Sequence, residues 1–151
     1  MMNTHSNMKL FVLTLLCLIL LSLPTEGIEA KTVKQGQGSL NDNQVIRAII
    51  GEASNQGFQG MYAVASAIIN RGTLKGVYGA NAKHVDTEPT WVWEMATRAW
   101  YKAKGGTLAH SGDHWGSKIV DKAWIAKMEA SDKFIKVYEY KDHIFYKEAI
   151  K

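Results

Sequence analysis

Cysteine and proline are scarce in this chain, whose 151 residues include one cysteine, Cys17, and two prolines. A single cysteine excludes an intramolecular disulfide, so the domain must rely on its hydrophobic core for stability. Beyond Cys17 the sequence has no thiol that an enzyme would use as a nucleophile. It also lacks internal repeats and low-complexity tracts. A single domain fits this length, since single domains commonly span about 100–200 residues.

Long hydrophobic runs are limited to one, LFVLTLLCLILLSL at residues 10–23. Its 14 residues are fewer than the ~20 that a membrane-spanning helix needs. Pro24 ends the run, and Gly27 and Ala30 offer small residues for cleavage. We therefore predict a signal peptide over residues 1–30 and export to the periplasm, cell wall or extracellular space, without stable membrane insertion after cleavage. An uncleaved membrane anchor is the alternative.

Acidic residues are outnumbered by basic ones, 14 to 18, which gives a formal net charge of +4. Loss of Lys9, Glu26 and Glu29 with the signal peptide raises this charge to +5. A modest positive charge suits an anionic partner such as the bacterial cell wall. Nucleic acid would be attracted in the same way, but export argues against it. We predict no nucleic-acid partner, and we expect a monomer.

Helical spacing of apolar residues predicts three main helices and one short helix, at 42–53, 60–71, 89–104 and within 118–130. Asn41 is placed to cap the first helix, and Gly72 and Gly105 end the second and third. The segments 73–85 and 107–117 are predicted to be loops.

The carboxyl-terminal part predicts a β-hairpin, because two β-rich runs at 134–140 and 143–147 flank a Lys-Asp turn. The predicted fold is therefore α+β and mostly helical, with one small C-terminal hairpin. Residues 31–40 are predicted to form a linker and residues 41–151 a single folded domain.

Glu52 is the strongest candidate for an acid–base group, because it follows the apolar run IRAIIG near the end of the first predicted helix. Apolar surroundings favour the protonated form of a carboxyl group, and a retained proton is what glycoside cleavage requires. The spacing alone, however, favours the simpler interpretation of a solvated glutamate at a helix end.

The residues that follow Glu52 resemble the signature of the cell-wall hydrolase, or spore-cortex-lytic enzyme, family. That family reads roughly Glu-Ala-Arg-Gly-Glu, three residues, Gly-Gln, Ala-Val-Ala, small apolar residues and Asn-Arg. The matching residues, without a gap, are Glu52, Ala53, Gly60, Ala63, Val64, Ala65, Asn70 and Arg71. Ser54 and Asn55 stand where the family has Arg-Gly. Residues 111–115 and 143–146 also resemble the family, which closes on His-x-Phe-Tyr, whereas Thr107-Leu108-Ala109 replaces its usual Asp-x-Thr.

The resemblance implies a lysozyme-like fold and cleavage of the β-1,4 bond between N-acetylmuramic acid and N-acetylglucosamine in peptidoglycan. Several members are lytic transglycosylases, in which one glutamate acts first as acid and then as base. The 6-hydroxyl of the muramic acid attacks, and neither a second carboxylate nor a cofactor is needed. The resemblance places that glutamate at Glu52.

Six further residues are candidates for substrate binding: Tyr62, Asn70, His114, Trp115, His143 and Tyr146. Trp115 is either a cleft residue that stacks on sugar or a packing residue. The two tyrosines either line the site or pack in the core. Asn70 suits either a substrate hydrogen bond or a helix cap.

Histidines offer a competing interpretation, because His110, Asp113, His114 and His143 invite comparison with zinc ligands. The chain has no HExxH motif, and the spacing of His110 and His114 has no metal-binding rationale, so we predict no metal and no cofactor. Two alternatives remain open: a zinc-dependent amidase that removes the peptide stem, and a wall-binding module without catalysis.

Overall fold

The computed structural model describes residues 40–150. The predicted signal peptide (1–30), the predicted linker apart from Leu40, and Lys151 lie outside the described residues. The described part is α+β and mostly helical, which confirms the predicted fold class. Its α-helices and strands, in chain order, are α1 Asp42–Ala53, α2 Gly57–Arg71, α3 Thr90–Lys104, β1 His114–Ser117, α4 Lys122–Glu129, β2 Phe134–Tyr140 and β3 His143–Glu148.

Helix α1 has the bounds that its apolar spacing predicts. Asn41 caps it, because the side-chain oxygen of Asn41 accepts a hydrogen bond from the backbone N–H of Gln44 at 3.1 Å. Its core-facing residues are Val45, Ile46, Ala48, Ile49, Ile50 and Ala53. Glu52 therefore lies in the last turn of a helix whose other face is anchored in the core.

Helix α2 begins at Gly57, earlier than predicted. Gly57 adopts a φ of 71°, which lets the chain change direction after the single 3₁₀ turn Ser54–Gln56. The helix ends as predicted, because left-handed Gly72 donates its N–H to the carbonyl of Ile68 at 2.8 Å. The small buried residues of α2 are Gly60, Ala63, Ala65, Ser66 and Ala67, and they let α1 and α3 pack close to it.

The sheet has three antiparallel strands in the order β1-β3-β2. Strands β2 and β3 form the predicted hairpin, whose turn contains Lys141 at φ 48°. The prediction of an irregular loop over 107–117 is wrong for its last four residues, which form strand β1. This strand pairs with β3, and Phe145 is the register partner of Trp115. This short strand contains Gly116 and shows no apolar alternation, so pairing with the edge of β3 decides its conformation.

One further prediction is corrected and another is confirmed. The predicted loop 73–85 contains the 3₁₀ helix Gly79–Asn81, and a second 3₁₀ helix, Lys83–Thr87, begins within it. The short helix predicted within 118–130 is confirmed as α4, Lys122–Glu129. Ser117 holds the turn before it, because its hydroxyl oxygen accepts from the N–H groups of Ile119 and Val120.

The main core joins α1, α2 and α3 and includes Phe145 of β3. A smaller apolar cluster under α4 contains Ile125, Met128, Ile144 and Tyr146. Trp100 is fully buried, and Trp93 is partly buried against the core. No helix within residues 40–150 is both long enough and apolar enough to cross a membrane. A lysozyme-like arrangement stays a prediction.

Candidate active site

Glu52 lines a cleft with a volume of about 710 Å³. The ends of α1 and α2, the segment between α2 and α3, strand β1 and the β2–β3 turn all contribute to its walls. The cleft therefore gathers side chains that are distant in sequence, as binding and catalytic sites commonly do.

Each oxygen of the Glu52 carboxyl group accepts a hydrogen bond from an N–H group. The backbone N–H of Gly79 donates to Oε1 at 2.7 Å, and the indole N–H of Trp115 donates to Oε2 at 3.1 Å. These donors lie 27 and 63 residues further along the chain. The carboxyl group is thereby oriented from two sides, which suits proton transfer at a fixed position.

Two glycines allow the first of these bonds, because α1 and the turn Gly79–Asn81 meet backbone to backbone. A Cβ on Gly51 would collide with the carbonyl group of Gly79. A Cβ on Gly79 would lie 2.6 Å from the carbonyl oxygen of Ala48 and 2.7 Å from Cγ of Glu52. Gly79 carries no sequence signal for this role, because nothing in the chain indicates which backbone it approaches.

Arg71, the last residue of α2, brings a positive charge to the cleft. Its Nε donates to the backbone carbonyl of Asp113 at 2.8 Å, and its guanidinium carbon lies 4.8 Å from the centre of the Trp115 ring. Burial lowers the pKa of Arg71, while the carboxylates of Asp113 and Glu52 oppose this shift. Arg71 is a matched residue of the family signature, and the structure adds its contact with Trp115.

His143, the first residue of β3, lines the cleft and is 7% exposed. Burial lowers the pKa of its imidazole, against the attraction of the carboxylates of Glu52, Asp142 and Asp121. Asp121 and Asp142 line the same cleft. Both aspartates lie in turns without a recognisable motif, and sequence reasoning missed them.

Gln56 connects two walls of the cleft. Its amide nitrogen donates to Asn55 at 2.9 Å and to the carboxylate of Asp142 at 3.2 Å, and its backbone carbonyl accepts from Nζ of Lys141 at 3.1 Å. Its Oε1 is buried and has no hydrogen-bond partner among residues 40–150. The turn Ser54–Gln56, which departs from the family signature, is therefore bonded to the β2–β3 turn. Oε1 of Gln56 is the acceptor in this turn that has no donor within the described part of the chain.

The cleft brings together three of the predicted site residues, Glu52, Trp115 and His143. Tyr62 and Asn70 do not line it and hold the 107–113 loop instead: the hydroxyl of Tyr62 donates to the carbonyl of Thr107 at 2.6 Å, and the amide of Asn70 donates to the carbonyls of His110 and Gly112 at 3.0 and 2.9 Å.

His114 and Tyr146 also lie outside the cleft lining. His114 contacts the carboxylate of Asp113 through Nδ1 at 2.8 Å, and Tyr146 is buried in the smaller apolar cluster with its hydroxyl 3.4 Å from Glu129. Substrate contacts by Tyr62, Asn70, His114 and Tyr146 stay predictions.

The three histidines considered as zinc ligands have different neighbours: His114 contacts Asp113, and His143 lines the cleft. His110 stacks on Tyr138, and burial lowers its pKa to about 4. Within residues 40–150, His, Cys, Asp and Glu side chains form no group of three or more that would hold a metal ion.

Comparisons of the chain with protein-family models, with curated proteins and with solved structures give no match. The resemblance to cell-wall hydrolases therefore rests on the residues quoted above.

Proposed function

We propose that this chain is an exported enzyme that cleaves the β-1,4 bond between N-acetylmuramic acid and N-acetylglucosamine in peptidoglycan, with Glu52 as acid and base. One observation carries the proposal: the glutamate at which the family signature begins lies in a cleft and is oriented there by two N–H donors. The positive charge of the chain suits an anionic wall. No cofactor is part of the proposal.

Glu52 would first donate its proton to the glycosidic oxygen as the bond from that oxygen to the anomeric carbon breaks. The resulting carboxylate would then accept a proton from the attacking hydroxyl. Oε1 accepts the shorter hydrogen bond, from the backbone N–H of Gly79, and Oε2 accepts the longer one, from Trp115. We therefore assign the transferred proton to Oε2. This assignment keeps the backbone contact intact through both steps.

The nucleophile distinguishes two forms of this reaction. Attack by the 6-hydroxyl of the muramic acid gives a 1,6-anhydro product and needs no second carboxylate, and this is the form we favour. Attack by water commonly uses a second carboxylate, for which Asp121 and Asp142 are the candidates in the cleft.

Mass spectrometry of purified peptidoglycan after digestion tests the proposal, because it reports the broken bond and the product together. We expect muropeptides that end in 1,6-anhydro-N-acetylmuramic acid. Reducing N-acetylmuramic acid ends would identify a hydrolase. Release of peptide stems, lost with EDTA and restored with zinc, would identify the amidase, and wall binding without any product would identify a binding module.

Export belongs to the same proposal and has its own test. Expressed whole in bacteria, the chain should be recovered outside the cytoplasm with an amino terminus between Gly27 and Lys31. A soluble cytoplasmic product with an intact amino terminus would contradict export without bearing on the chemistry of Glu52.

A further inference from the structure

We propose that Trp115 is a positioning residue for Glu52, and that Arg71 acts through Trp115. The inference rests on the proposed role of Glu52 as acid and base. It assigns Trp115 a role different from the two that its sequence context leaves open, sugar stacking and packing.

The indole of Trp115 has one polar atom, and Glu52 already occupies it. Nε1 donates to Oε2 of Glu52 at 3.1 Å, the oxygen to which we assign the proton. A hydrogen bond to a charged acceptor is stronger than one to a neutral acceptor. The bond therefore strengthens as the proton leaves Glu52, which stabilises the transition state more than the bound substrate.

Arg71 fixes the plane of that indole. Its guanidinium carbon lies 4.8 Å from the centre of the ring, while Nε is held by the carbonyl of Asp113 at 2.8 Å. The guanidinium therefore covers one face of the indole, and a sugar ring cannot stack on the same face. Strand β1 fixes the backbone of Trp115 by pairing it with Phe145.

The two roles of Trp115 make opposite kinetic predictions. A positioning residue acts mainly on kcat, whereas the loss of a stacking surface raises KM. Trp115→Phe keeps an aromatic ring but removes the N–H. We expect kcat to fall about tenfold to 100-fold, as for loss of a hydrogen bond to a charged group, with KM changed less than about twofold. Trp91→Phe is the matched control, because Trp91 is exposed on α3 and does not line the cleft.

Arg71→Lys tests whether Arg71 acts through Trp115. Lysine keeps the charge but loses the planar group that stacks and the Nε donor. We expect kcat to fall, and we expect Arg71→Lys to cause little further loss when Trp115 is already Phe. Effects that multiply in the double variant would show that Arg71 acts independently, and would overturn its part of the inference.

A spectroscopic measurement separates this inference from the proposed function. In protein labelled with ¹⁵N-tryptophan, the indole N–H resonance of Trp115, assigned by its loss in Trp115→Phe, should shift in both Glu52→Gln and Arg71→Lys. Those shifts would support the arrangement even if the wild-type protein cleaved no peptidoglycan. An unmoved resonance, or a Trp115→Phe enzyme with raised KM and normal kcat, would overturn it.

Discussion

The backbone N–H of Gly79 donates a 2.7 Å hydrogen bond to Oε1 of Glu52, and it reaches that oxygen because Gly79 has no side chain. The turn that carries Gly79 is in direct backbone contact with α1, where Gly51 is its counterpart. A pair of glycines thus determines where one oxygen of the proposed catalytic group lies.

Gly79→Ala is therefore expected to reduce both stability and activity. The new Cβ would lie 2.6 Å from the carbonyl oxygen of Ala48, so the backbone of the turn must shift away from Glu52. Overpacking of this kind costs about 1–3 kcal/mol, which urea denaturation would measure. Gly105→Ala is the control, because its Cβ approaches its nearest neighbour at 3.3 Å, outside the cleft. Equal stability of the two variants would contradict this account of Gly79.

Asp42 is expected to be the acidic side chain whose loss most weakens the helical core. Its carboxylate accepts hydrogen bonds from Nε1 of buried Trp100 at 2.8 Å and from Nζ of Lys104 at 2.8 Å. Asp42→Ala leaves the Trp100 N–H without this acceptor, at a cost of about 1–3 kcal/mol. Asp86→Ala removes the exposed pair with Arg47 and should cost less. Chemical denaturation of both variants checks the order, and a larger loss for Asp86→Ala would reverse it.

Strong periodic segments were predictable from the sequence. Helix α1 has the predicted bounds, and the β2–β3 hairpin lies where its two β-rich runs predict it, because in both cases local pattern and tertiary packing favour the same structure. Glu52, Trp115 and His143 lie in segments that resemble the family signature, and they line one cleft. Their roles in catalysis or substrate binding stay predictions.

Other parts of the site depend on contacts that local sequence does not encode. Strand β1 forms against β3, and the 3₁₀ turn at Gly79 packs on α1, so tertiary pairing decides both. Asp121 and Asp142 line the cleft because of where the fold places the turns that contain them. Tyr62 and Asn70 have side chains that suit substrate binding, yet their polar atoms form hydrogen bonds with the backbone of the 107–113 loop.

His110 gives folding stability a defined pH dependence. Burial lowers its pKa to about 4 in the folded protein, whereas 6.5 is the ordinary histidine value. Between these values the unfolded chain binds the additional proton, so the free energy of unfolding should fall as the pH drops from 6.5 towards 4. Burial also lowers the pKa of His143, so His110→Asn should weaken this dependence without abolishing it.

Two measurements check the role of His110. Urea denaturation at pH 7 and at pH 5 gives the change in stability for the wild-type protein and for His110→Asn. Titration of the ring C2 proton by NMR gives the pKa of His110 directly. A midpoint near 6.5 for this proton would contradict the burial effect.

Substitution of Asp121 and Asp142 tests whether the reaction needs a second carboxylate. With the 6-hydroxyl as nucleophile, Asp121→Asn and Asp142→Asn should each reduce kcat by less than about tenfold, well below the effect typical of a general acid or base. Steady-state rates on purified peptidoglycan give the comparison, and Glu94→Gln, an exposed change outside the cleft, is the control. A loss in either aspartate variant as large as that of Glu52→Gln, with reducing ends among the products, would favour a two-carboxylate hydrolase.

Glu52→Gln tests the central claim most directly. Glutamine preserves the size of the side chain and an oxygen that accepts a hydrogen bond, but it cannot donate and recover the proton. We expect a variant that folds, as judged by circular dichroism, and still binds peptidoglycan, while cleavage of the glycan strand slows about 100-fold or more, as is typical of general acid–base groups. The deciding measurement is the rate at which anhydro-muropeptides appear, followed by mass spectrometry for both proteins. A folded Glu52→Gln variant that released these products at the wild-type rate would contradict the assignment.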